Sequence, residues 1–198
     1  MTNKPLLKLI FLIIFSMFFL TNIHAQIPDS QRQALIDFYQ TTNGDNWTNN
    51  EGWNGEVGTE CSWFGITCDD EENIKWIELE ENNLSGEIPS SIKNFPGLMT
   101  LKLQENNLTS IPHEIGELGK ITFLALSNNQ FDNVPNSIGN LNKLDYLYLS
   151  YNQLTSIPSE VGNLLELKRF FLNNNQLRSR QKINCHFLHP TSGHICRV

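Results

Sequence analysis

Thiol and imidazole side chains concentrate near the C-terminus of this 198-residue chain, in a segment that contains Cys185, His186, His189, His194 and Cys196. Two cysteines and two or three histidines within twelve residues can bind Zn²⁺ tetrahedrally, which would allow a zinc-dependent activity. The alternative is a disulfide between Cys185 and Cys196 that closes a C-terminal cap. The disulfide is favoured because the N-terminal residues are those of an exported protein.

An acidic run at residues 69–72 (Asp-Asp-Glu-Glu) offers oxygen ligands that could hold Ca²⁺ weakly. The run lacks the alternating spacing and the glycine of an EF-hand loop, so a solvated turn is the favoured interpretation. The chain also has no Gly-x-Ser-x-Gly motif, no phosphate-binding Gly-Lys-Ser/Thr loop and no His-Glu-x-x-His motif. We therefore predict a protein that is not an enzyme and needs neither a metal nor another cofactor.

Residues 1–25 have the features of a secretory signal peptide. Lys4 and Lys8 provide a positive start, residues 9–20 form an almost unbroken apolar run, and cleavage is expected before Gln26. A twelve-residue run falls short of the roughly 20 residues that span a bilayer, and no second such run follows. We expect a secreted or cell-surface protein with no membrane span after cleavage. The oxidising compartment predicts disulfides within two close pairs, Cys61 with Cys68 and Cys185 with Cys196.

The composition is that of a soluble folded domain, with 39% hydrophobic, 10% aromatic and 18% charged residues. Fourteen basic and 21 acidic side chains give a net charge of −7, and removal of the two lysines in the signal peptide leaves −9. An acidic body is a poor partner for phosphate backbones, so we predict no nucleic-acid binding. The charge is uneven: residues 26–167 carry −15, whereas residues 168–198 hold six basic residues and no acidic one.

An internal repeat dominates the rest of the sequence. A phrase of the form apolar-x-Leu-x-x-Asn occurs five times, at intervals of 24 and then 23 residues, and opens at Ile77, Leu101, Leu124, Leu147 and Phe170. The asparagines of the phrase are Asn82, Asn106, Asn129, Asn152 and Asn175. The alternating apolar residues predict one short strand in each repeat. The proline-initiated segment that follows has the spacing of a helical turn or a 3₁₀ coil.

These repeats resemble the leucine-rich repeat family over about residues 74–177. The resemblance implies an α/β repeat fold: a right-handed solenoid with short parallel strands on a concave face, 3₁₀ or helical turns on a convex face and a helical N-terminal cap. Strands lie about 4.8 Å apart and the return segments are bulkier, so the stack must curve with its strands inside. We expect the asparagines to bond to backbone groups in each bend and to form a single row.

The segment before the repeats predicts a cap. A capping-box pattern at residues 30–33 is expected to begin a helix whose apolar face includes Ala34, Leu35 and Phe38. The first repeat would be covered by three tryptophans, Trp47, Trp53 and Trp63. The spelling Cys-x-Trp-x-Gly-Ile-x-Cys at 61–68 is similar to the N-terminal cap of plant-type leucine-rich repeat proteins, such as receptor-kinase ectodomains and polygalacturonase inhibitors. We therefore expect a signal peptide at 1–25, a cap at 26–73, about five repeats at 74–180 and a C-terminal tail or cap at 181–198.

The outward positions of the strands change from acidic at the N-terminal end to aromatic at the C-terminal end. Exposed aromatic residues have no folding role on an open face, and tyrosine and arginine are favoured anchors in interfaces. We therefore predict a ligand-binding patch of Phe123, Tyr146, Tyr148, Tyr151, Arg169 and Phe171. The alternative is that the aromatic rings only pair across strands, which stabilises a sheet by about 0.2–1 kcal/mol for each pair.

The expected function is that of a secreted leucine-rich repeat module that binds an extracellular protein, peptide or glycan through its concave face. The resemblance also implies two alternatives, an enzyme inhibitor of the polygalacturonase-inhibitor type and a fragment of a larger cell-surface receptor. In a eukaryotic host, glycans would be expected at three Asn-x-Ser/Thr sequons, Asn46, Asn83 and Asn107.

Overall fold

The computed structural model describes residues 27–177 and the backbone of residues 195–197. The segment predicted as a signal peptide lies outside the described residues. The cysteine and histidine side chains of the C-terminal segment also lie outside them, so the Cys185–Cys196 disulfide stays a prediction and the zinc site stays its alternative. Among residues 27–177, no helix is both long enough and apolar enough to cross a bilayer.

The cap begins with helix α1 (Asp29–Thr41), whose Ala34, Leu35 and Phe38 are buried as the pattern predicted. The predicted capping box is wrong, because the N-cap residue is Pro28 and no side chain caps the helix. The carbonyl of Pro28 accepts the first backbone bonds, and proline presets the φ angle at a helix start. Gln33, the expected partner of Ser30, bonds instead to the Asp37 side chain one turn later.

Three tryptophans close the end of the first repeat. The ring centroids of Trp47 and Trp53 lie 4.8 Å apart, and those of Trp53 and Trp63 lie 5.2 Å apart. All three side chains are buried in the same hydrophobic core as the repeats, so they cover the core where the repeats begin. A disulfide joins Cys61 to Cys68, one of the two pairings expected from the sequence.

The main sheet contains one strand from each repeat. Strand β1 (Ile66–Cys68) pairs antiparallel with β2 (Ile74–Glu78), and the strands that follow are parallel. A separate two-stranded parallel sheet lies outside the main one and consists of β3 (Ser85–Glu87) and β5 (Asn107–Ser110). The main sheet continues in the order β4 (Thr100–Lys102), β6 (Phe123–Ala125), β7 (Tyr146–Tyr148), β8 (Arg169–Phe171) and β9 (Ile195–Arg197).

Each repeat returns through a short 3₁₀ segment that follows a proline. These segments are Ser90–Asn94, His113–Glu117, Asn136–Asn140 and Ser159–Asn163. The register of the strands aligns the inward residues Ile77, Leu101, Leu124, Leu147 and Phe170, all of them buried. The core is therefore a continuous stack that no single repeat could form alone.

The asparagines of the repeat phrase stand in one row and link neighbouring coils. The Asn106 side chain accepts from the backbone N–H of Asn82 at 3.1 Å and of Leu84 at 2.9 Å, and it donates to the Leu79 carbonyl at 2.8 Å. Asn129, Asn152 and Asn175 repeat the second and third of these bonds one, two and three coils later. Buried backbone groups that would otherwise be unpaired are thus satisfied by side chains.

Candidate binding surface on the concave face

We use "concave face" for the outward residues of the parallel strands in the main sheet and of the three residues that follow each strand. In this face the register aligns Phe123 with Tyr146 and Arg169, and Ala125 with Tyr148 and Phe171. All of these residues except Ala125 belong to the patch predicted from the sequence. The parallel pairing therefore brings five of the six predicted residues into two adjacent rows.

The aromatic rings of these rows form a connected cluster. The Phe123 centroid lies 5.5 Å from that of Tyr146 and 5.4 Å from that of Tyr148. The Tyr148 and Phe171 rings are stacked, with centroids 5.1 Å apart and planes 17° apart. Each ring is half-buried, so one side of it contacts its neighbours and the other side faces solvent. Such mutual packing restricts the rotamers of side chains that would otherwise be free.

Ala125 shares β6 with Phe123 and pairs in register with Tyr148, although the patch predicted from the sequence does not include it. It occupies an outward position of β6 but is only 4% exposed. Phe123 and Tyr148 are diagonal neighbours rather than register partners, and a longer side chain at position 125 would stand between them. In the sequence, the signal for this role is that Ala125 is the smallest outward residue of the face and lies among aromatic residues.

Two cations flank the cluster. The guanidinium carbon of Arg169 lies 5.6 Å from the Tyr146 ring centroid, and Arg169 is exposed with no acidic partner among residues 27–177. On the other side, the Lys102 ammonium lies 6.0 Å from the Phe123 centroid. Lys102 also pairs with Glu78 at 2.5 Å, and the hydrogen bond to that carboxylate raises the pKa of Lys102. Cations above aromatic faces are attracted by the ring quadrupole.

Tyr151 stands apart from the other predicted residues. It lies just beyond β7, is 54% exposed and makes no ring contact with an aromatic residue of the described chain. Its φ of 56° is in the left-handed region, which bulky residues rarely adopt. The same position has a left-handed φ in every coil, where the residues are Glu81, Glu105, Asn128, Tyr151 and Asn174. Asparagine tolerates this conformation best, so Tyr151 is held in a conformation that its side chain disfavours.

The first two coils present an acidic surface. Their outward residues include four carboxylates, Glu78, Glu80, Glu81 and Glu105, and the indole of Trp76, which is 44% exposed. Two acceptor atoms on this part of the face, Oε2 of Glu80 and Oε1 of Gln104, are buried and have no hydrogen-bond partner in the described part of the protein.

The acidic run that suggested weak Ca²⁺ binding forms the turn between β1 and β2. One Asp69 oxygen accepts from the backbone N–H of Glu71 and of Asn73, and the other lies 2.8 Å from the Lys75 ammonium. The bond to Lys75 and then that to the Asn73 backbone lower the Asp69 pKa to about 2. Within residues 27–177, no three histidine, cysteine, aspartate or glutamate side chains are grouped as metal ligands.

The three sequon asparagines lie on one exposed flank. The Asn83 side chain donates to the Asn46 backbone carbonyl at 2.8 Å, and the Asn107 side chain donates to the side-chain oxygen of Asn83 at 3.3 Å. All three residues are exposed, so this flank is separate from the buried asparagine row. Glycosylation at these positions stays a prediction.

Comparison with known proteins gives the same architecture. The family profile described as Leucine-rich repeat region matches residues 73–189, and the profile described as Leucine rich repeat N-terminal domain matches residues 28–69. The chain is 31% identical over 101 residues to the probable LRR receptor-like serine/threonine-protein kinase At3g47570 of Arabidopsis thaliana, an alignment that covers 50% of this chain and 10% of that protein. The chain thus spans about a tenth of the length of the curated relatives it matches.

Two solved structures are also similar. The BIR2 ectodomain from Arabidopsis thaliana superposes with a TM-score of 0.68 and 28% identity, over 74% of this chain and 80% of that one. The LRR ectodomain of the Arabidopsis receptor kinase HAESA, in complex with an N-terminally extended IDA peptide hormone ligand, gives a TM-score of 0.51 and 25% identity, over 76% of this chain and 30% of that one. The repeat phrase, the aligned strands, the tryptophan-closed cap and both profiles agree: this chain belongs to the leucine-rich repeat family.

Proposed function

We propose that this chain is an extracellular recognition module that binds a protein or peptide partner through its concave face, with the predicted patch as the main contact. The observation that carries the proposal is the cluster of half-exposed rings at Phe123, Tyr146, Tyr148 and Phe171, beside the unneutralised Arg169. Aromatic residues and arginine are the residue types that most often dominate binding energy.

The alternative interpretation, that the rings only pair across strands and stabilise the sheet, explains part of the cluster. Ring pairs contribute about 0.5–1.5 kcal/mol each beyond the area they bury, so the cluster also stabilises the fold. It does not explain Tyr151, which has no ring contact and a disfavoured backbone conformation. Nor does it explain Arg169, which extends over a ring toward solvent without an acidic partner among the described residues.

The comparisons support the coarser part of this proposal. HAESA was solved with a peptide hormone ligand, and its similarity to this chain makes a peptide or protein partner the expected class. An extracellular location fits the sequence-predicted signal peptide and the Cys61–Cys68 disulfide. A module of this kind acts by presenting rigid side chains, so we expect binding rather than catalysis and no cofactor.

The test is capture of partners from extracellular fluid of the source organism by the immobilised secreted chain, followed by mass spectrometry. Three proteins are compared: wild type, the double variant Tyr148→Ala/Phe171→Ala, and the control Val57→Ala/Leu165→Ala. The control removes exposed apolar side chains that lie outside the parallel strands. We expect wild type and control to capture the same partners and the concave-face variant to stay folded but lose them, with a melting temperature lowered by about 3–18 °C through the loss of three ring pairs.

Equal capture by all three proteins would contradict the proposal. Loss of capture by the control variant as well would indicate that the partner contacts another surface. If a captured partner is an enzyme, its activity in the presence of the chain tests the inhibitor alternative directly.

A further inference from the structure

We infer that the partner segment is a basic polypeptide with an apolar end, laid across the strands so that its positive charges face the first two coils and its apolar residues face the aromatic cluster. This inference rests on the proposed function and adds the chemistry and the direction of the partner. It follows from how charge and apolar surface are distributed along one continuous face.

The charge distribution is strongly asymmetric. The outward residues of the first two coils hold four carboxylates and one ammonium, a net charge of −3. The outward residues of the next three coils hold Arg169 as their single charged group, a net charge of +1. Potentials that change sign along a surface select partners with the complementary order of charges and also orient them.

The carboxylates at the acidic end are only partly neutralised by cations of the same face. Lys102 is the one cation among the outward residues of the first two coils, and its ammonium is held by Glu78 at 2.5 Å. No salt bridge in the described chain involves Glu80, Glu81 or Glu105. Three carboxylates of this end of the face are therefore left for a partner.

Two acceptors at the acidic end have no donor in the described structure. Oε2 of Glu80 and Oε1 of Gln104 lie two residues beyond the neighbouring strands β2 and β4, are shielded from solvent and have no hydrogen-bond partner in the described structure. A buried acceptor without a donor costs about as much as a lost hydrogen bond, and a lysine or arginine side chain would supply several donors. The nearby indole of Trp76, 44% exposed, gives a cation an aromatic face as well.

The apolar half of the partner is defined by the other end of the face. Phe123, Tyr148 and Phe171 offer ring surface, and Tyr151 extends from the edge without a ring neighbour. Five strands about 4.8 Å apart span about 19 Å, which an extended chain covers with about six residues. A segment of that length with two or three basic residues at one end and aromatic or aliphatic residues at the other fits both halves.

The test uses a phage-displayed library of random twelve-residue peptides selected against the secreted form of the full chain. Selected peptides are synthesised, and their dissociation constants are measured on three variants beside wild type. The acidic-end variant is Glu80→Gln/Glu81→Gln/Glu105→Gln. Its control, Glu114→Gln/Glu117→Gln/Glu160→Gln, makes the same change of net charge on 3₁₀ segments of the convex side. The third is Tyr148→Ala/Phe171→Ala.

We expect the selected peptides to be enriched in lysine or arginine at one end and in apolar residues at the other. The acidic-end variant should raise their dissociation constants about tenfold, whereas the convex control should change them less than about twofold. Raising NaCl from about 0.05 to 0.5 M should weaken binding to wild type more than to the acidic-end variant, because exposed charges are screened.

A pool that depends on Tyr148 and Phe171 but has no excess of basic residues, or that responds equally to both triple variants, overturns this inference and leaves the proposed function standing. A pool that binds Tyr148→Ala/Phe171→Ala as well as wild type contradicts the proposed function itself. Failure to enrich any peptide contradicts this inference and leaves standing the proposed function, which also allows a folded protein partner.

Discussion

Phe123 and Tyr148 are in ring contact although the strand register does not pair them. Their centroids lie 5.4 Å apart, whereas the register pairs Phe123 with Tyr146 and Ala125 with Tyr148. The contact crosses the position of Ala125, whose side chain ends at Cβ and is buried on an otherwise open face. We therefore expect the arrangement of the aromatic cluster to depend on the small size of the Ala125 side chain.

Replacing Ala125 should therefore disrupt the cluster without touching an aromatic residue. In Ala125→Leu the longer side chain occupies the space between the Phe123 and Tyr148 rings, so we expect a loss of about 0.5–1.5 kcal/mol in the free energy of unfolding. We also expect weaker partner binding. Urea denaturation and near-ultraviolet circular dichroism measure the first effect, and Ala125→Gly, which keeps the space open, is the control for binding. If Ala125→Leu binds the partner with wild-type affinity, the shape of the cluster does not determine binding.

Tyr151→Asn should stabilise the protein and weaken binding at the same time. The residue has a φ of 56°, and asparagine occupies the equivalent position in the coils on either side. Removing a bulky residue from the left-handed region should raise the free energy of unfolding by about 1 kcal/mol. The reverse change, Asn128→Tyr, should lower it by a similar amount. A Tyr151→Asn variant that is both less stable and fully active in binding would mean that the tyrosine serves the fold.

The buried asparagine row should be far more sensitive to substitution than exposed asparagines. Asn129 accepts from the Leu108 backbone at 2.9 Å and donates to the Leu103 carbonyl at 2.8 Å. Asn129→Ala leaves the Leu108 N–H unpaired in the interior and removes one of the two side-chain bonds to the Leu103 carbonyl, which also accepts from Asn106, so we expect a loss of about 2–4 kcal/mol in urea denaturation. Asn133→Ala, on the surface, should cost less than about 0.5 kcal/mol. Equal effects would mean that the row does not hold the coils together.

The turn at Asp69 should make stability depend on pH in the acid range. The pKa of Asp69 is about 2 in the folded protein, against an ordinary value of 3.8, because Lys75 and the Asn73 backbone bond to its carboxylate. Because the folded-state pKa lies below the unfolded one, the contribution of Asp69 to the free energy of unfolding is present above about pH 4. It is lost as the pH falls toward 2. Urea midpoints measured between pH 2 and 5 should fall less steeply for Asp69→Asn than for wild type. Asp70→Asn, on the same turn, is the matched control, and identical slopes for all three proteins would contradict the assignment.

The sequence predicted the repeat architecture because its core positions are strictly periodic. Each buried side chain of the strands recurs at nearly constant intervals, so strand positions, inward residues and the asparagine row follow from counting. The helix of the cap was also foreseeable from Ala34, Leu35 and Phe38, since an apolar face needs only local spacing.

Features that depend on contacts between repeats could not be predicted from the sequence. The second sheet of β3 and β5 needs two return segments to lie side by side, which no single segment reveals. The helix start at Pro28 was missed because the serine-glutamine spacing matched a capping box by chance. The Phe123–Tyr148 contact and the strained Tyr151 were also not predictable, because both depend on side-chain and backbone angles that residue types alone do not specify.

The most direct test is a crystal structure of the chain with its captured partner. The account predicts partner atoms within about 4 Å of Tyr148, Phe171 and Tyr151, the distance at which side chains are in contact. It also predicts basic partner residues beside Glu81 and Glu105. A partner bound to the 3₁₀ segments or to the sequon flank, with the concave rings still facing solvent, would contradict it.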